Sequence, residues 1–406
     1  MTMTTTEATK EAAPVTKFAA TASARAWLDA LNIAALTLSR KPPLPILAHV
    51  LISSSAERVT ITSNNYEASI TADVAGATGE SFDVLLPLRF VVDTIKVIAS
   101  DKASDVELTV MDFLDRKVAV LASEGFKYPI VAHHSIDEFP RFDSASGPAA
   151  FSIAAEQLKL AIKRTTVASS KDRTLPILTG LKFTSEAADS VLRVEATDRY
   201  RLSFVREPAY VKRDTSFLID NELLFKLLPK IKQKQPVSFV VSGEELSAPT
   251  IKMIFETFTV SIIGIAGDYP KLKKLFAESY EHSFTADRDA LIRSARVAER
   301  LSARNTPCTF ELLGGTLYLK PNRDGLDSIS YGLLSVPAVG ITPRASELQQ
   351  FAVNPLYLLD ALKHLDAGEV TISFNSVVKP IVFSNSLGAS DDAPFRYLLM
   401  PVRMPS

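Results

Sequence analysis

The sequence predicts an α+β protein made of three similar domains. Two observations carry this reading. LPIL occurs at Leu44–Leu47 and again at Leu175–Leu178, an offset of 131 residues, and the same step from Pro176 reaches Pro307. Around each of these prolines the hydrophobic patterning runs in one order: strand, helix, strands, helix, strands. A period this long exceeds that of solenoid repeats, so each copy is a domain with its own core.

In chain order, each copy opens on a short strand pattern that begins at Phe18, Phe151 or Phe284. A helix pattern follows: ARAWLDALNIAALTLS, AAEQLKLAIKRTTVAS and DRDALIRSARVAERLS. Apolar residues recur there at three- and four-residue steps, which is helical spacing. The proline motif leads into strand patterns, AHVLISSS, TGLKFTS and TFELLGGTLYL. A second helix pattern (LRFVVDTIKVIAS, NELLFKLLPKIKQ, NPLYLLDALKHL) gives way to the alternating strands VELTVM, PVSFVVSG and EVTISF. The first two copies close on DEFP at Asp137–Pro140 and GDYP at Gly267–Pro270, and the third on YLLMPVRM. The loop-like stretches SASGPAA and AESYEH put boundaries near 148 and 280, giving domains over 16–148, 149–279 and 280–406. Residues 1–15 offer too little apolar surface to become ordered and read as a disordered tail.

Composition excludes several classes of function. Lys and Arg number 45 against 46 Asp and Glu, and 47% of residues are apolar, as expected of a soluble globular chain. The single cysteine, Cys308, excludes an intramolecular disulfide or a multi-cysteine zinc site and suits a reducing cytoplasm. No apolar run approaches the roughly 20 residues needed to cross a membrane, and the N-terminus lacks a secretory pattern. There is no GxxxxGK[ST], GxGxxG after a strand, HExxH or GxSxG. His133 and His134 would point to opposite faces of a strand, with no third ligand nearby in sequence, so neither a metal nor a cofactor is expected. Cys308 reads as a small core residue and Trp27 as helix packing. In ATDRYRLS, Ala196–Ser203, Asp198 has no histidine beside it. Its expected role is local, holding the turn or pairing with Arg201.

Positive charge is concentrated on helices. Arg293, Arg296, Arg300 and Arg304 recur at steps of three, four and four, which sets them on one helix face. The second copy supplies Lys159, Lys163, Arg164, Lys171 and Arg173, with Lys226, Lys230, Lys232 and Lys234 further on. The first supplies Arg25, Arg40 and Lys41. Basic helices in all three copies, without a recognition-helix signature, suit a polyphosphate backbone contacted without sequence preference.

Three motifs resemble one family. KPPLPILAHVLI resembles the RPTLPIL-plus-strand motif of the bacterial DNA polymerase III beta subunits, the sliding clamps. ATDRYRLS resembles their ATDxxRL segment, and YLLMPVRM their C-terminal ending. The likeness covers all but the N-terminal tail. It implies DNA-clamp domains, a head-to-tail homodimer closed into a ring with helices inside, and no catalytic site. Such a ring encircles double-stranded DNA and tethers the polymerase III alpha subunit, the clamp loader and other proteins carrying a clamp-binding peptide, in the cytoplasm. The residues expected to face DNA are Arg40, Lys41, Lys159, Lys163, Arg164, Lys171, Arg173, Lys230, Arg293, Arg296, Arg300 and Arg304.

The family's peptide pocket, carried over by motif, falls on Leu178, Thr197, Arg201 and Leu202, and on Leu398, Leu399, Met400, Pro401, Val402 and Arg403. Phe276 joins them, and Arg199 and Tyr200 stand where the family often has Gly and His. Those two bulky residues also fit a variant clamp with shifted partner preference. An open nucleic-acid-binding scaffold and an enzyme built on Asp198, Arg201 and Tyr200 compete with the clamp reading.

Overall fold

Four polar side chains stop a strand and start a helix. Ser23 accepts from the Ala26 amide at 3.2 Å, Asp220 from Glu222 at 2.8 Å, Asp287 from Ala290 at 2.6 Å and Asn354 from Leu356 at 2.9 Å. Each such cap is worth about 1 kcal/mol, because it satisfies an amide that the helix leaves open. The helices are α1 (Ala24–Ala34), α2 (Leu88–Ile98), α3 (Ala155–Thr166), the short α4 (Pro176–Thr179), α5 (Asn221–Leu227), α6 (Arg288–Leu301) and α7 (Pro355–His364). All six expected helix patterns are helical. The LPIL motif itself winds into a single turn, Pro45–Ala48 in the first copy and α4 in the second. Proline suits the first position of such a turn, where no amide is needed.

The computed structural model describes residues 17–39, 41–113, 116–243, 247–303, 306–313, 316–321, 334–339, 349–366, 368–385 and 393–402. These residues form two units, Met1–Ala145 with Lys252–Ile262, and Ser146–Ile251 with Ile263–Ser406.

Unit 1 holds a five-stranded antiparallel sheet, in the order Thr78–Gly79, Lys17–Ser23, Asp105–Phe113, Arg116–Ser123, Phe126–Val131. A second run of strands is ordered Phe82–Pro87, His49–Ser54, Val59–Asn64, Ala68–Asp73. Its last member pairs with Phe258–Ile263, from Ala72↔Phe258 to Ala68↔Ile262. Trp27 and Leu31 of α1 and Ile95 of α2 are fully buried, as are Ile52, Ile61, Ile70, Val84 and Leu108. The Trp27 indole donates to the Val106 carbonyl at 3.0 Å, which lets so large a side chain be buried without an orphaned N–H.

Unit 2 contains most of the second copy and all of the third. A twelve-stranded sheet runs through it. Its central join is Arg201–Pro208 against Phe395–Leu399, from Arg201↔Leu399 to Val205↔Phe395. Continuous pairing across the expected boundary near 280 is why compactness does not divide the chain there. Phe151, Phe183, Phe217 and Phe239 cluster with ring centroids 4.5–6.3 Å apart. Burying each such side chain contributes roughly 1.5–3 kcal/mol. Cys308 is fully buried, and burial pushes its thiol up to about 12, so it is packing and not a nucleophile.

Candidate functional site

Alternation along two paired strands builds one apolar patch in unit 2. Leu202 lies opposite Leu398, and Phe204 lies one step along on the same face. Leu178, Leu218, Tyr269, Leu272, Phe276 and Val382 complete the cluster, with Ile177, Ile265 and Tyr280 at its edge. Every core member is less than a tenth exposed. The Phe276 ring meets Phe204 edge-on at 5.7 Å, and the Arg396 guanidinium lies over Phe276 at 4.0 Å and over Phe204 at 4.8 Å. Lys182 sits over Tyr269 at 5.6 Å. Burial pushes the Tyr269 phenol well above its ordinary range, so it stays neutral.

Residues that flank the paired strands are exposed. Tyr200 is 58% exposed, Met400 38% and Val402 40%. The Met400 amide donates to the Tyr200 carbonyl at 2.8 Å, which pins it beside the ATDRYRLS turn, and Val402 donates to Ala352 at 2.7 Å, which holds it to the strand Gln349–Val353. Tyr200 and Met400 thus present an exposed aromatic ring and a thioether beside strands whose other face is a buried apolar cluster.

The turn has its own internal logic. Asp198 Oδ1 accepts from the amides of Tyr200 and Arg201, both at 3.0 Å, and Thr197 Oγ1 accepts from Arg199 and donates to the Arg201 carbonyl at 2.7 Å. Arg199 takes φ +79°, the left-handed region that favours glycine. The glycine of the family motif thus has a backbone reason, which Arg199 overrides at a cost of about 1–2 kcal/mol.

Three of the expected pocket residues act elsewhere. Arg201 is only 7% exposed. Its Nε meets Asp198 at 2.9 Å, Nη1 meets Asp360 at 2.6 Å and the Tyr397 hydroxyl at 3.3 Å, and its guanidinium lies over Tyr357 at 4.1 Å. The side chain is committed to holding α7 against the strand Arg201–Pro208 and is not available at the rim. Burial raises the Tyr397 phenol above its ordinary range, so it offers Arg201 a neutral oxygen. Leu399 alternates to the face opposite Leu398 and lies outside the apolar cluster. Thr197 is buried and serves the turn. Arg199 and Tyr200 are exposed, Pro401 is half-buried, and Arg403 lies outside the described residues. Phe204, Leu218, Tyr269, Leu272 and Val382 join the apolar cluster and were not among the expected pocket residues. The repeated DEFP and GDYP turns were the available signal for Tyr269.

Among the basic residues, Arg293, Arg296 and Arg300 lie on α6, whose opposite face buries Leu291, Ser294, Ala295 and Ala298. Arg293 and Arg296 are exposed there, and Arg300 is exposed in the last turn. Lys41, Lys163 and Lys171 are exposed, and Lys159 and Lys230 half-buried. Arg173 is exposed but ion-paired with Glu222. Arg164 corrects the expectation that it faces DNA. It is 3% exposed, its Nη2 meets Asp366 at 2.5 Å, its Nε donates to the His364 carbonyl at 3.1 Å, and it covers the Phe395 ring at 4.8 Å. Arg40 and Arg304 lie outside the described residues. His134 contacts the His49 ring at 4.7 Å and Glu138 at 3.0 Å, and the described residues contain no metal-holding cluster.

Two family profiles match the chain, "DNA polymerase III beta subunit, N-terminal domain" over residues 19–143 and the central domain of the same subunit over 152–271. A beta sliding clamp of Streptomyces coelicolor is 25% identical over 93% of this chain and 96% of its own length. One of Streptococcus pneumoniae is 27% identical over 93% and 97%. The crystal structure of the Bacillus subtilis DNA polymerase sliding clamp superposes with a TM-score of 0.80 at 20% identity, over 96% of this chain and all of that one.

Proposed function

The chain belongs to the DNA polymerase III beta-subunit family, and from that premise we propose that it works as a sliding clamp. It is a non-catalytic processivity factor. Two copies close head to tail around duplex DNA, and the ring carries the polymerase alpha subunit, the clamp loader and other proteins that present a short apolar peptide. The observation that carries this reading beyond family membership is the Leu202–Leu398 floor beside the exposed Tyr200 and Met400 rim. It involves two of the three motifs to which the resemblance assigns peptide capture.

Retention by topology asks little of the DNA-facing charges. Exposed Arg293, Arg296 and Arg300, joined by Lys41, Lys163 and Lys171, supply a diffuse field that permits sliding. The third domain, over 280–406, completes the repeat. A second copy is supported by exposed apolar residues that a monomer has no use for. Phe90, Phe126 and Tyr128 are 42%, 65% and 45% exposed in unit 1, and Val297 and Leu301 are 40% and 47% exposed on α6. Two different patches on one chain suit a heterologous interface that closes. Sedimentation near one micromolar tests the assembly. A mass near twice 44.2 kDa supports the ring, and a clean monomer counts against it.

A variant partner preference within the same function is favoured by one observation. Arg199 and Tyr200 are both exposed at the rim and enlarge it with a cation and an aromatic ring. Peptides with an acidic residue beside the apolar anchor fit that rim best.

A further inference from the structure

We propose that unit 1 carries a second docking site, polar where the pocket of unit 2 is apolar, which takes an acidic peptide segment. The proposal rests on the peptide-binding reading above for its ligand class, and on the following geometry for its existence.

The two units repeat one sheet plan. In unit 2 the rows Glu195–Phe204–Arg396 and Thr197–Leu202–Leu398 cross the paired strands, and Phe204, Leu202 and Leu398 belong to the apolar floor. In unit 1 the corresponding rows are Thr62–Thr71–Thr259 and Asn64–Ser69–Ser261. The closing turn is shared too, with Phe139 of DEFP buried in unit 1 as Tyr269 of GDYP is in unit 2. Where unit 2 places its three floor side chains, unit 1 therefore places Thr71, Ser69 and Ser261.

These polar rows line a cavity of about 590 Å³ in unit 1. That is the size of an ordinary ligand pocket and holds a few peptide residues. Its walls are fixed by hydrogen bonds. Asn64 Nδ2 donates to the Pro140 carbonyl at 2.9 Å, the Thr62 and Thr71 hydroxyls share one at 3.0 Å, and those of Ser144 and Ser261 share one at 2.5 Å. Three cations line the cavity, Arg58, Arg141 and Lys252, against one carboxylate, Asp137. Arg58 pairs with Asp73 at 2.9 Å. Arg141 and Lys252 form no ion pair among the described residues.

The ligand chemistry follows. Hydroxyls both donate and accept, so they serve the amides and carbonyls of an extended peptide. Arg141 and Lys252 at the walls favour carboxylates and disfavour basic segments. A rigid DNA duplex presents phosphates on a convex surface and does not enter a cavity of this size. The rows also offer little apolar surface to the anchors suited to unit 2, which gain little by burial here.

The test uses the full chain and two fluorescein-labelled hexapeptides, one of Asp, Glu and Ser, the other bearing Leu and Phe anchors. Anisotropy at low salt should show the acidic probe binding. R141E/K252E should raise its Kd about tenfold or more, with R141Q/K252Q in between. The Leu/Phe probe should be unaffected by these changes, and melting temperature should confirm that the variants fold. The proposal is overturned if the wild-type chain does not bind the acidic probe, if R141E/K252E binds it equally well, or if the Leu/Phe peptide displaces it. Failure of the Leu/Phe probe to respond to Leu398→Ala would instead sink the peptide-pocket reading of unit 2 and leave the polar site standing.

Discussion

The Arg201 guanidinium meets the Asp360 carboxylate at 2.6 Å and ties the ATDRYRLS strand to α7. Arg201 is nearly buried while the Asp360 side chain is 36% exposed. Removing the acid leaves a desolvated cation with Asp198 as its remaining carboxylate partner. Asp360→Asn should therefore destabilise unit 2 by about 1–3 kcal/mol, measured by urea unfolding. A change within about 0.5 kcal/mol, the range of an ordinary surface substitution, would show that the pair does not hold the second and third copies together.

The rim can be tested apart from the floor. Met400 is half-exposed, so Met400→Ala should leave stability within about 0.5 kcal/mol while weakening an apolar peptide roughly tenfold. Truncating the chain from Met400 onward is a poorer test, because it also removes the Met400–Tyr200 and Val402–Ala352 hydrogen bonds. Unchanged peptide affinity in Met400→Ala, read by calorimetry, would place the binding surface elsewhere.

Arg199 offers a backbone prediction. Its φ of +79° costs a side-chain-bearing residue about 1–2 kcal/mol, while glycine there loses roughly 0.5–1 kcal/mol in unfolded-state entropy. Arg199→Gly should stabilise the protein by up to about 1 kcal/mol. A lower melting temperature would mean that the Arg199 side chain makes a contribution larger than its strain.

His364 gives a pH dependence. Burial lowers its pKa below the usual 6.5, and its Nδ1–H donates to the Asp360 carbonyl at 2.7 Å. The folded state thus binds this proton less readily than the unfolded chain. Its contribution is present above about pH 6.5 and is lost as pH falls from there through the lowered folded-state pKa. The loss should act at the junction where Arg164 donates to the His364 carbonyl. His364→Gln should flatten the stability profile between about pH 5 and 7, as followed by thermal melts. An unaltered profile would assign the acid sensitivity to other groups, His49 among them, which burial also shifts down.

The basic face of α6 predicts salt behaviour. Replacing Arg293, Arg296 and Arg300 with alanine should lower the slope of log K against log salt by up to about 2.7, roughly 0.9 per lost phosphate contact, without unfolding α6. An identical slope in fluorescence titrations with duplex DNA would remove that helix from the DNA-facing set.

Much of the fold was legible because its signals are local. Helical spacing pointed to all six main helices, and the 131-residue recurrence to the repeat. Strand pairing between copies was not legible, since nothing local says that Arg201–Pro208 meets Phe395–Leu399 or that Ala68–Asp73 meets Phe258–Ile263. That gap explains the errors at the site. Arg164 looks like an exposed cation on the sequence and Arg201 like a pocket residue paired with Asp198, and only the joined strands bury them against Asp366 and Asp360. Leu398 and Leu399 look alike, and the register alone sends one to the apolar cluster and the other to the opposite face.

The most direct test of the clamp reading is retention on DNA of two shapes. The protein is loaded onto a nicked circular plasmid by a clamp loader, passed through a sizing column, and followed after the plasmid is cut once. Topological capture predicts coelution with the circle and release on linearisation. Equal retention on both forms would mean direct binding by an open surface, and no retention on the circle would mean that no ring closes around DNA.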